Sequence, residues 1–304
     1  MNTSTLKSRG SGNLLTGLGL ALIHLCALAA FVPAFFSWSA VGVAGVLVYV
    51  TGGLGVTLGF HRLLTHRSMQ LPKGFEYALT ILGVLALQGG PIVWVATHRR
   101  HHATSDRKGD PHGMDRGFWW AHVGWLFLPN PGRPKIAEQR RLAADLAANP
   151  FYVFMERTAL LWQVALAVAL FALGGWAWVV WGIFVRLVVT YHITWLVNSA
   201  SHWTGYRTFR TGDLSTNNWW VALLAWGEGW HNNHHAFPSS ARHGLRWFEF
   251  DPTWLTIRAL QFVGIVRSVK LPTLTMLNRL RVLEPARITL PTVTVTPARQ
   301  LELN

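Results

Sequence analysis

Charged side chains are scarce in this chain. Only 13% of its 304 residues are Asp, Glu, Lys or Arg, whereas 51% are hydrophobic. Soluble domains carry about a quarter charged residues, because a surface that faces water needs charge and a surface that faces lipid does not. The composition therefore disfavours a soluble enzyme of one or two domains and predicts one membrane-embedded body.

Acidic residues are the scarcer of the two charged classes. The chain has 27 Lys and Arg but only 13 Asp and Glu, which gives a formal net charge of +14. An excess of Lys and Arg is typical of the cytoplasmic loops of membrane proteins. The basic residues flank apolar segments and form no polar basic domain, so we expect no nucleic acid partner.

Cysteine is nearly absent. Cys26 is the only one, which excludes a disulfide within the chain and a thiolate metal site. Because Cys26 lies inside an apolar segment, we expect it to be a small core or lipid-facing residue.

Long apolar runs are abundant. A run of about 20 apolar residues crosses the roughly 30 Å hydrocarbon core of a bilayer. Segment 77–96 is also apolar, but Gly-Gly-Pro at 89–91 interrupts it, so we expect an interfacial or re-entrant helix there. A Gly-Gly pair at 174–175 offers a turn inside the last and longest run. The predicted spans are about 14–36, 41–60, 157–173 and 177–197.

These spans predict one membrane domain, residues 13–283. Residues 1–12 are polar and predicted to be disordered, and residues 284–304 are expected to form a loosely attached tail. If the N-terminus is cytoplasmic, the basic flanks of the spans place both termini on the cytoplasmic side of a membrane, expected to be a bacterial inner membrane. The predicted fold is an all-α integral membrane protein with four transmembrane helices and a cytoplasmic cap.

Histidines are concentrated at a few points of this cap. His61 and His66 are five residues apart, so only a helix end or a π-bulge would bring them to one face. Asn198 and His202 are one helical turn apart in NSASH. Residues i, i+3 and i+4 share a helix face, so each H-x-x-H-H motif directs up to three imidazoles to one side. The two such motifs are HRRHH (His98, His101, His102) and HNNHH (His231, His234, His235).

The clustered imidazoles predict bound metal. Buried neutral histidines need polar partners, and a cation satisfies several of them at once. A structural zinc site takes four ligands, usually with cysteine, whereas the nine histidines named above divide into two sites of four or five. The cytoplasmic cap is therefore predicted to carry a histidine-rich dimetal site. Imidazole suits Fe, Zn, Cu and Ni, so the ligands leave the metal open.

Other polar residues beside these groups have predicted supporting roles. Asp106, Asp110 and Glu228 are expected to accept hydrogen bonds from the outer N–H groups of ligating histidines, although they could simply solvate loops. Asn198 could hold a metal-bound water or only form a hydrogen bond at a helix end. We expect the remaining histidines to be ordinary interior or surface residues: His24, His112, His122, His192 and His243.

Four stretches of the sequence resemble the motifs of a known family. GFHRLLTHRS, THRRHHATSDRKGDPH, NSASHWTG and GEGWHNNHHAFP are similar to the three histidine boxes and the Asn-x-x-x-His element of membrane fatty acid desaturases. The likeness covers roughly residues 40–270, and it is greatest to the bacterial and cyanobacterial delta-9 type related to stearoyl-CoA desaturase.

This resemblance implies a non-haem di-iron centre that uses O₂ as co-substrate. It implies removal of two hydrogens from a saturated fatty acyl chain, in an acyl-lipid or acyl-CoA, with a cis double bond expected at delta-9. Asn198 matches the position that holds a metal through water. The catalytic metal ligands implied by the resemblance are His61, His66, His98, His101, His102, His202, His231, His234 and His235.

The resemblance also implies partners. No segment resembles a fused cytochrome b5 domain, so we expect a separate electron donor, such as ferredoxin or a cytochrome b5-like protein with its reductase. The basic face would attract an acidic donor. The substrate needs an apolar channel, and seven tryptophans near the histidines could line it or anchor the protein at the membrane interface: Trp94, Trp119, Trp120, Trp195, Trp219, Trp220 and Trp226.

Two other functions compete with this interpretation. A membrane di-iron fatty acyl or lipid hydroxylase would use the same histidine scaffold, because hydroxylation begins with the same hydrogen abstraction. A metal transporter or sensor would require ionisable residues within several spans, whereas these histidines lie at segment ends. Analysis of the reaction product distinguishes a hydroxylase from a desaturase. Metal uptake into vesicles that contain the protein would support the transporter.

Overall fold

Helices dominate the fold. The computed structural model describes residues 4–282, with side chains from residue 14 onward. The tail predicted for 284–304 and the first three residues of the predicted disordered segment 1–12 lie outside the described residues. The backbone of the rest of that segment is helical, since the hydrogen bonding of the first helix extends into it. The longer helices are α1 (Ser4–Ala27), α2 (Trp38–Val48), α3 (Lys73–Val84) and α4 (Pro91–Thr104) in the first half of the chain.

The second half of the chain is also helical. A proline or a side-chain cap starts several of these helices: the Asn149 side chain accepts from the Phe151 amide at the start of α8, and the Asp251 side chain accepts from the Trp254 amide at α12. Such caps satisfy the unpaired amides of a first helical turn. The helices are α5 (Trp125–Phe127), α6 (Ile136–Leu142), α7 (Ala144–Ala147), α8 (Pro150–Val179), α9 (Arg186–Trp203), α10 (Trp219–Leu224), α11 (His231–Ala236), α12 (Pro252–Phe262) and α13 (Leu274–Leu280).

Within the described residues, three helical runs are long and apolar enough to cross a membrane: Leu14–Phe31, Trp38–Thr65 and Pro150–Trp203. The third has 54 residues, which at 1.5 Å per residue is about 80 Å, far more than one crossing of a roughly 30 Å core. Gly175 interrupts it with φ 63° and ψ −159°, a conformation open essentially to glycine alone. The long run therefore consists of two arms that meet at the predicted Gly-Gly turn.

Segment 77–96 forms no continuous span. α3 ends at Val84, and α4 begins at Pro91 in the position where proline is tolerated. Between them Leu87 and Gly89 have positive φ values of 50° and 98°. The Gly-Gly-Pro sequence thus breaks the apolar segment as predicted, and α4 continues into the HRRHH motif.

The core holds the histidine-bearing helices together. One cluster of buried side chains joins α3, α4, the start of α8 and the helix that carries His61. In contrast, leucines such as Leu18 and Leu22 on α1 and Leu161 on α8 are more than half exposed. Large apolar surfaces of this kind mark contact with lipid or another partner. The main buried members of the core are Phe60, Leu64, Val95, Ala96, Tyr152 and Met155.

Two contacts tie the C-terminal part of the chain to the segment on either side of His66. β1 (Met69–Gln70) pairs antiparallel with β2 (Ser268–Val269), with Met69 opposite Val269. The fully buried Arg62 joins Glu228 at 3.1 Å and Asp251 at 3.0 Å. These contacts position α11 and α12 against the helix that carries His61.

Candidate metal centre

A π-helical segment brings the first two histidines to one face. The helix that begins as α2 changes to i→i−5 hydrogen bonding over Tyr49–Thr65, and the His66 amide donates to the His61 carbonyl at 3.2 Å. The wider turn places residues five apart above one another, so the two imidazole centroids lie 4.9 Å apart. Both expected possibilities contribute: the π-type hydrogen bonding extends over 17 residues instead of a single bulge, and His66 caps the end of that helix.

The structure brings all nine sequence-predicted histidines together in two groups. The ligand atoms within each group lie within 4.8 Å of one another. α4 serves both groups: His98 and His102 belong to the first and His101 to the second. We call these sets group one, with His61, His66, His98, His102 and His234, and group two, with His101, His202, His231 and His235.

The nitrogens of each group converge on a common point. In group one, His234 Nε2 lies 3.1 Å from His61 Nε2 and 3.0 Å from His102 Nε2. In group two, the Nε2 atoms of His235 and His231 are 3.1 Å apart. Two nitrogens bound to one ion at about 2.1 Å are about 3 Å apart when they subtend a right angle at the ion. The spacing therefore fits one transition-metal ion per group.

Four carboxylates determine which nitrogen faces inward. Each lies against the Nδ1 atom of a different histidine, so that Nδ1 carries the proton and the Nε2 lone pair is free for a metal. The sequence had singled out three of them, but not Asp213, which lies in a loop 22 residues before its partner and shows no motif spacing. The pairs are His61–Glu228 at 2.6 Å, His101–Asp110 at 2.9 Å, His202–Asp106 at 2.7 Å and His235–Asp213 at 2.7 Å.

Burial and proximity keep most of these histidines neutral. Desolvation, followed by the neighbouring imidazoles, lowers the pKa of His66, His98, His102, His231 and His234 well below the ordinary value. Neutral imidazoles are the form that binds a cation.

The carboxylates remain ionised at neutral pH. Burial raises the pKa of Asp106, but hydrogen bonding and charge from His202 outweigh it and lower the pKa to about 2. Burial likewise opposes ionisation of Glu228, yet His61, His243 and Arg62 hold its pKa well below the usual range. Each group thus lies beside an ionised carboxylate that favours a bound cation.

The donor set fits a metal in a further way. His66 Nε2 and His202 Nε2 are buried without a hydrogen-bond partner among the described residues. An unpaired buried nitrogen costs on the order of 1–3 kcal/mol. A cation in each group would remove that cost and satisfy the converging lone pairs.

Two histidines that we expected to be ordinary lie against the groups. The His112 ring stacks on His101 with centroids 4.4 Å apart, and burial lowers the pKa of His112 to about 3. The His243 ring lies 4.5 Å from that of His234, and its Nδ1 is 3.3 Å from Glu228 Oε2. Neither has the spacing of a ligand motif, which is why the sequence missed them.

The other three single histidines form a separate row. His24 Nε2 is 3.2 Å from His192 Nε2, and His192 Nδ1 is 3.1 Å from His122 Nε2. None of the three belongs to either group.

An elongated cavity of ≈ 250 Å³ reaches group one. His98, His112 and Asn198 line it where α4 and α9 approach the histidines, and Val93 and Tyr191 line it earlier along the same helices. Asn198 is half-buried there. Away from the histidines the lining is mixed, with apolar side chains such as Leu20 and Leu126 beside the polar Gln88 and Thr194.

Most of the seven tryptophans expected to line a channel do not line this cavity. Only Trp94 and Trp195 do, together with Trp125, which we had not singled out. Trp119 and Trp219 are 74% and 67% exposed. Such exposed side chains fit the other expected role, anchoring at the membrane interface, because neighbouring residues on a helix face different directions.

The chain is similar to known proteins along most of its length. The family model described as fatty acid desaturase matches residues 36–263. A sn-1 stearoyl-lipid 9-desaturase of Anabaena variabilis is 55% identical over 269 residues, which cover 88% of this chain and 97% of that protein. A protein of the same name from Synechocystis sp. is 54% identical, over 82% and 78% of the two chains. A sn-2 palmitoyl-lipid 9-desaturase of Nostoc sp. is 50% identical, over 80% and 86%.

Proposed function

Because the chain belongs to the fatty acid desaturase family, we propose that it introduces a cis double bond at the delta-9 position of a saturated acyl chain esterified in a glycerolipid. Membership of this family means that the chain is an oxidoreductase. The three relatives described above are all named for lipid-linked acyl chains and for position 9. Their names favour a lipid over acyl-CoA and a desaturase over the hydroxylase alternative.

The observation that carries the proposal is the pair of histidine groups, one of which borders a cavity lined largely by apolar and aromatic side chains. His98 belongs to group one and also lines the cavity. An acyl chain in the cavity would therefore lie beside group one, with little water around it. Removing hydrogen from an unactivated methylene needs this combination of a strong oxidant and a dry, fixed substrate.

We propose iron for both groups. The nine histidines would hold two ions, and Asn198 would contribute through a water molecule. Bound iron would supply the O₂ chemistry that removes two hydrogens from the acyl chain. Imidazole nitrogens suit iron as well as zinc, so the choice rests on the family and on the oxidative reaction.

The chain's own residues supply position and charge. Asp106, Asp110, Asp213 and Glu228 hold the imidazole tautomers and compensate part of the charge of the ions. The Nε atom of Arg62 in turn donates a hydrogen bond to Glu228 and keeps that carboxylate in position. The cavity walls orient the acyl chain and exclude solvent.

We propose that electrons come from a separate acidic carrier, such as ferredoxin or a cytochrome b5-like protein with its reductase. Reduction of O₂ to two waters takes four electrons, of which the acyl chain provides two. Asp213, which accepts from His235, lies in a loop whose backbone carbonyls at Thr211 and Gly212 accept from Arg207 and Arg107. These exposed arginines would attract an acidic donor close to group two.

We also propose four membrane crossings with the histidines on the cytoplasmic side of a bacterial inner membrane. The interruption at Gly175 supports two crossings within Pro150–Trp203, in addition to the two earlier apolar helices. The basic residues around the histidine motifs support the orientation.

The test is the fatty acid profile of a bacterium that lacks desaturases and expresses this chain with a ferredoxin and its reductase. We expect cis-9 monoenes in the lipids with the intact chain and none with His234→Ala. His24→Ala, a histidine outside both groups, is the matched control and should retain the product. Hydroxy fatty acids would establish the hydroxylase instead. An unchanged profile from iron-loaded protein that the donor reduces would overturn the proposal.

A further inference from the structure

Charge is distributed unevenly over residues 246–282, which we call the C-terminal segment. Its two acidic residues, Glu249 and Asp251, are both buried, so every exposed charge of the segment is basic. None of these basic side chains forms an ion pair with a carboxylate of residues 14–282. The exposed basic residues are Arg246, Arg258, Arg267, Lys270, Arg279 and Arg281.

The same segment exposes large apolar side chains. Trp247 and Phe262 are 94% and 92% exposed, and Leu274 is 78% exposed. A single exposed side chain of this kind is common, whereas several of them within one short segment mark an interaction surface. The C-terminal segment therefore combines apolar exposure with positive charge.

The helix α12 has two apolar sides, of which the protein covers one. Ile257 is completely buried and belongs to the core cluster, on which Trp254 and Leu260 also pack. The exposed residues of α12 and of the position after it are spaced by three or four, which places them on one side of the helix: Leu255, Arg258, Ala259, Phe262 and Val263.

A contact places α12 beside a helix that is long and apolar enough to cross the membrane. Thr256 Oγ1 lies 3.3 Å from the hydroxyl oxygen of Tyr49, and Tyr49 belongs to the apolar run Trp38–Thr65. The exposed side of α12 is therefore next to a helix that we assign to the bilayer, so the membrane surface is within its reach.

The pattern of side chains favours a lipid surface as the covering partner. Helices that lie in the membrane interface carry Trp, Phe and Leu together with Lys and Arg, and aromatic side chains are enriched at headgroup level. The Arg258 guanidinium lies over the Trp254 ring at 5.7 Å, so its stem covers apolar surface while its charge stays accessible. An acidic protein would match the basic residues but would not account for the apolar exposure between them.

We propose that the C-terminal segment docks on the bilayer surface and binds the headgroups of anionic phospholipids. The exposed side of α12 enters the interface, and the basic side chains contact lipid phosphates. Each basic side chain near an anionic surface strengthens such binding about fivefold. Because α12 begins after Asp251, which bonds Arg62 of the helix that carries His61, docking also holds the cap against the membrane.

The test uses the full chain, loaded with iron, in nanodiscs of phosphatidylcholine with or without phosphatidylglycerol. Cys26→Ser removes the only cysteine, and Phe262→Cys then carries an environment-sensitive fluorophore. Iodide quenches fluorophores in water, and phosphatidylcholine with a nitroxide near its headgroup quenches those in the interface. We expect weak iodide quenching and strong lipid quenching, which increases when phosphatidylglycerol is present. Trp247→Cys, outside α12, provides a second labelled position.

Two controls separate lipid binding from exposure and from total charge. A label at Arg141→Cys, an α6 side chain that is 73% exposed, should be quenched by iodide and not by lipid. Arg258→Gln combined with Arg267→Gln should reduce the preference for phosphatidylglycerol roughly 25-fold, two factors of five, and leave quenching in phosphatidylcholine unchanged. Arg140→Gln combined with Arg141→Gln removes the same charge from α6 and should retain the preference.

Three results would overturn the proposal. Iodide quenching at Phe262→Cys and Trp247→Cys equal to that at Arg141→Cys would show that the segment faces water. Equal lipid quenching with and without phosphatidylglycerol would show apolar docking without recognition of anionic headgroups. Protection from both quenchers would show that residues 283–304 or a second copy of the chain covers the segment. The readout involves no turnover, so each of these results leaves the proposed function intact.

Discussion

At the scale of single residues, carboxylate–imidazole pairs determine the chemistry of the centre. Asp106, Asp110, Asp213 and Glu228 each lie against one Nδ1 atom, so four Nε2 lone pairs point inward irrespective of whether a metal is bound. The same pairs place negative charge beside the cations. Loss of such a partner typically costs 10- to 100-fold in metal affinity.

Asp213→Asn should therefore lower iron occupancy at limiting iron. The amide can present its NH₂ group to His235 and no longer carries the charge that compensates the cation. Metal analysis of protein equilibrated with a competing chelator should show about half of the parent iron content, because group one is untouched. Asp115→Asn, at an exposed aspartate, should load like the parent. Equal loading of both variants would contradict the assigned role of Asp213.

Arg62 is the residue whose loss should most damage the fold. It is fully buried and contacts both Glu228 and Asp251, so Arg62→Met would leave two carboxylates buried without their cation. Breaking a buried ion pair costs about 3–5 kcal/mol, and thermal unfolding in detergent should show a much lower Tm. Arg141→Gln, at a side chain 73% exposed, should unfold like the parent. A parent-like Tm for Arg62→Met would refute this account.

At the scale of elements, the π-helical segment and α3 form the closest helix contact near the site. At Gly55 an added Cβ would meet the backbone of Leu82 and Gly83, whereas at Gly45 of α2 it would meet nothing within 4 Å. The absence of a side chain at Gly55 lets α3 lie directly on the segment that carries His61. This contact therefore helps to position His61, the first histidine of group one.

Gly55→Ala should therefore destabilise the protein and Gly45→Ala should not. Overpacking a tight contact costs about 1–3 kcal/mol, and separation of the helices should also displace His61 and lower iron content. Gly45→Ala replaces glycine in an open helical position and should be neutral or slightly stabilising. Tm and iron content of the two variants, measured side by side, check both statements; matching values would show that the close contact is unimportant.

At the scale of the whole molecule, charge is distributed unevenly. The net charge is +14, and exposed arginines such as Arg107 and Arg207 lie beside the loop of Asp213, which contacts group two. A long-range field of this sign raises the encounter rate with an acidic partner, and salt screens it with a Debye length of about 8 Å at 0.15 M.

Turnover with a soluble acidic donor should consequently slow as ionic strength rises. Screening weakens the encounter and not the chemistry, so the KM for the donor should increase while kcat at saturating donor stays nearly constant. Steady-state rates between 0.05 and 0.5 M salt, about 14 and 4 Å of screening length, are the measurement. A KM that does not change with salt would contradict docking on the basic face.

The sequence by itself determined the chemistry of this protein. The two H-x-x-H-H motifs, the His61/His66 pair and the family resemblance require no tertiary information, because ligand motifs are local and helix periodicity sets which residues share a face. Long apolar runs and the glycine breaks at 89–91 and 174–175 are equally local signals. The family is confirmed, and the five-residue histidine spacing is explained by a π-helix that ends at His66, in line with the predicted helix end or π-bulge.

Only the tertiary structure decided how the histidines are divided and what surrounds them. His101 belongs to a different group from His98 and His102 although all three lie on α4, and no spacing reveals that division. Asp213 and His243 come from loops remote in sequence, where the path of the chain rather than a local pattern sets position. Which of the seven tryptophans line the cavity was decided in the same way, because the lining depends on the packing of several helices at once.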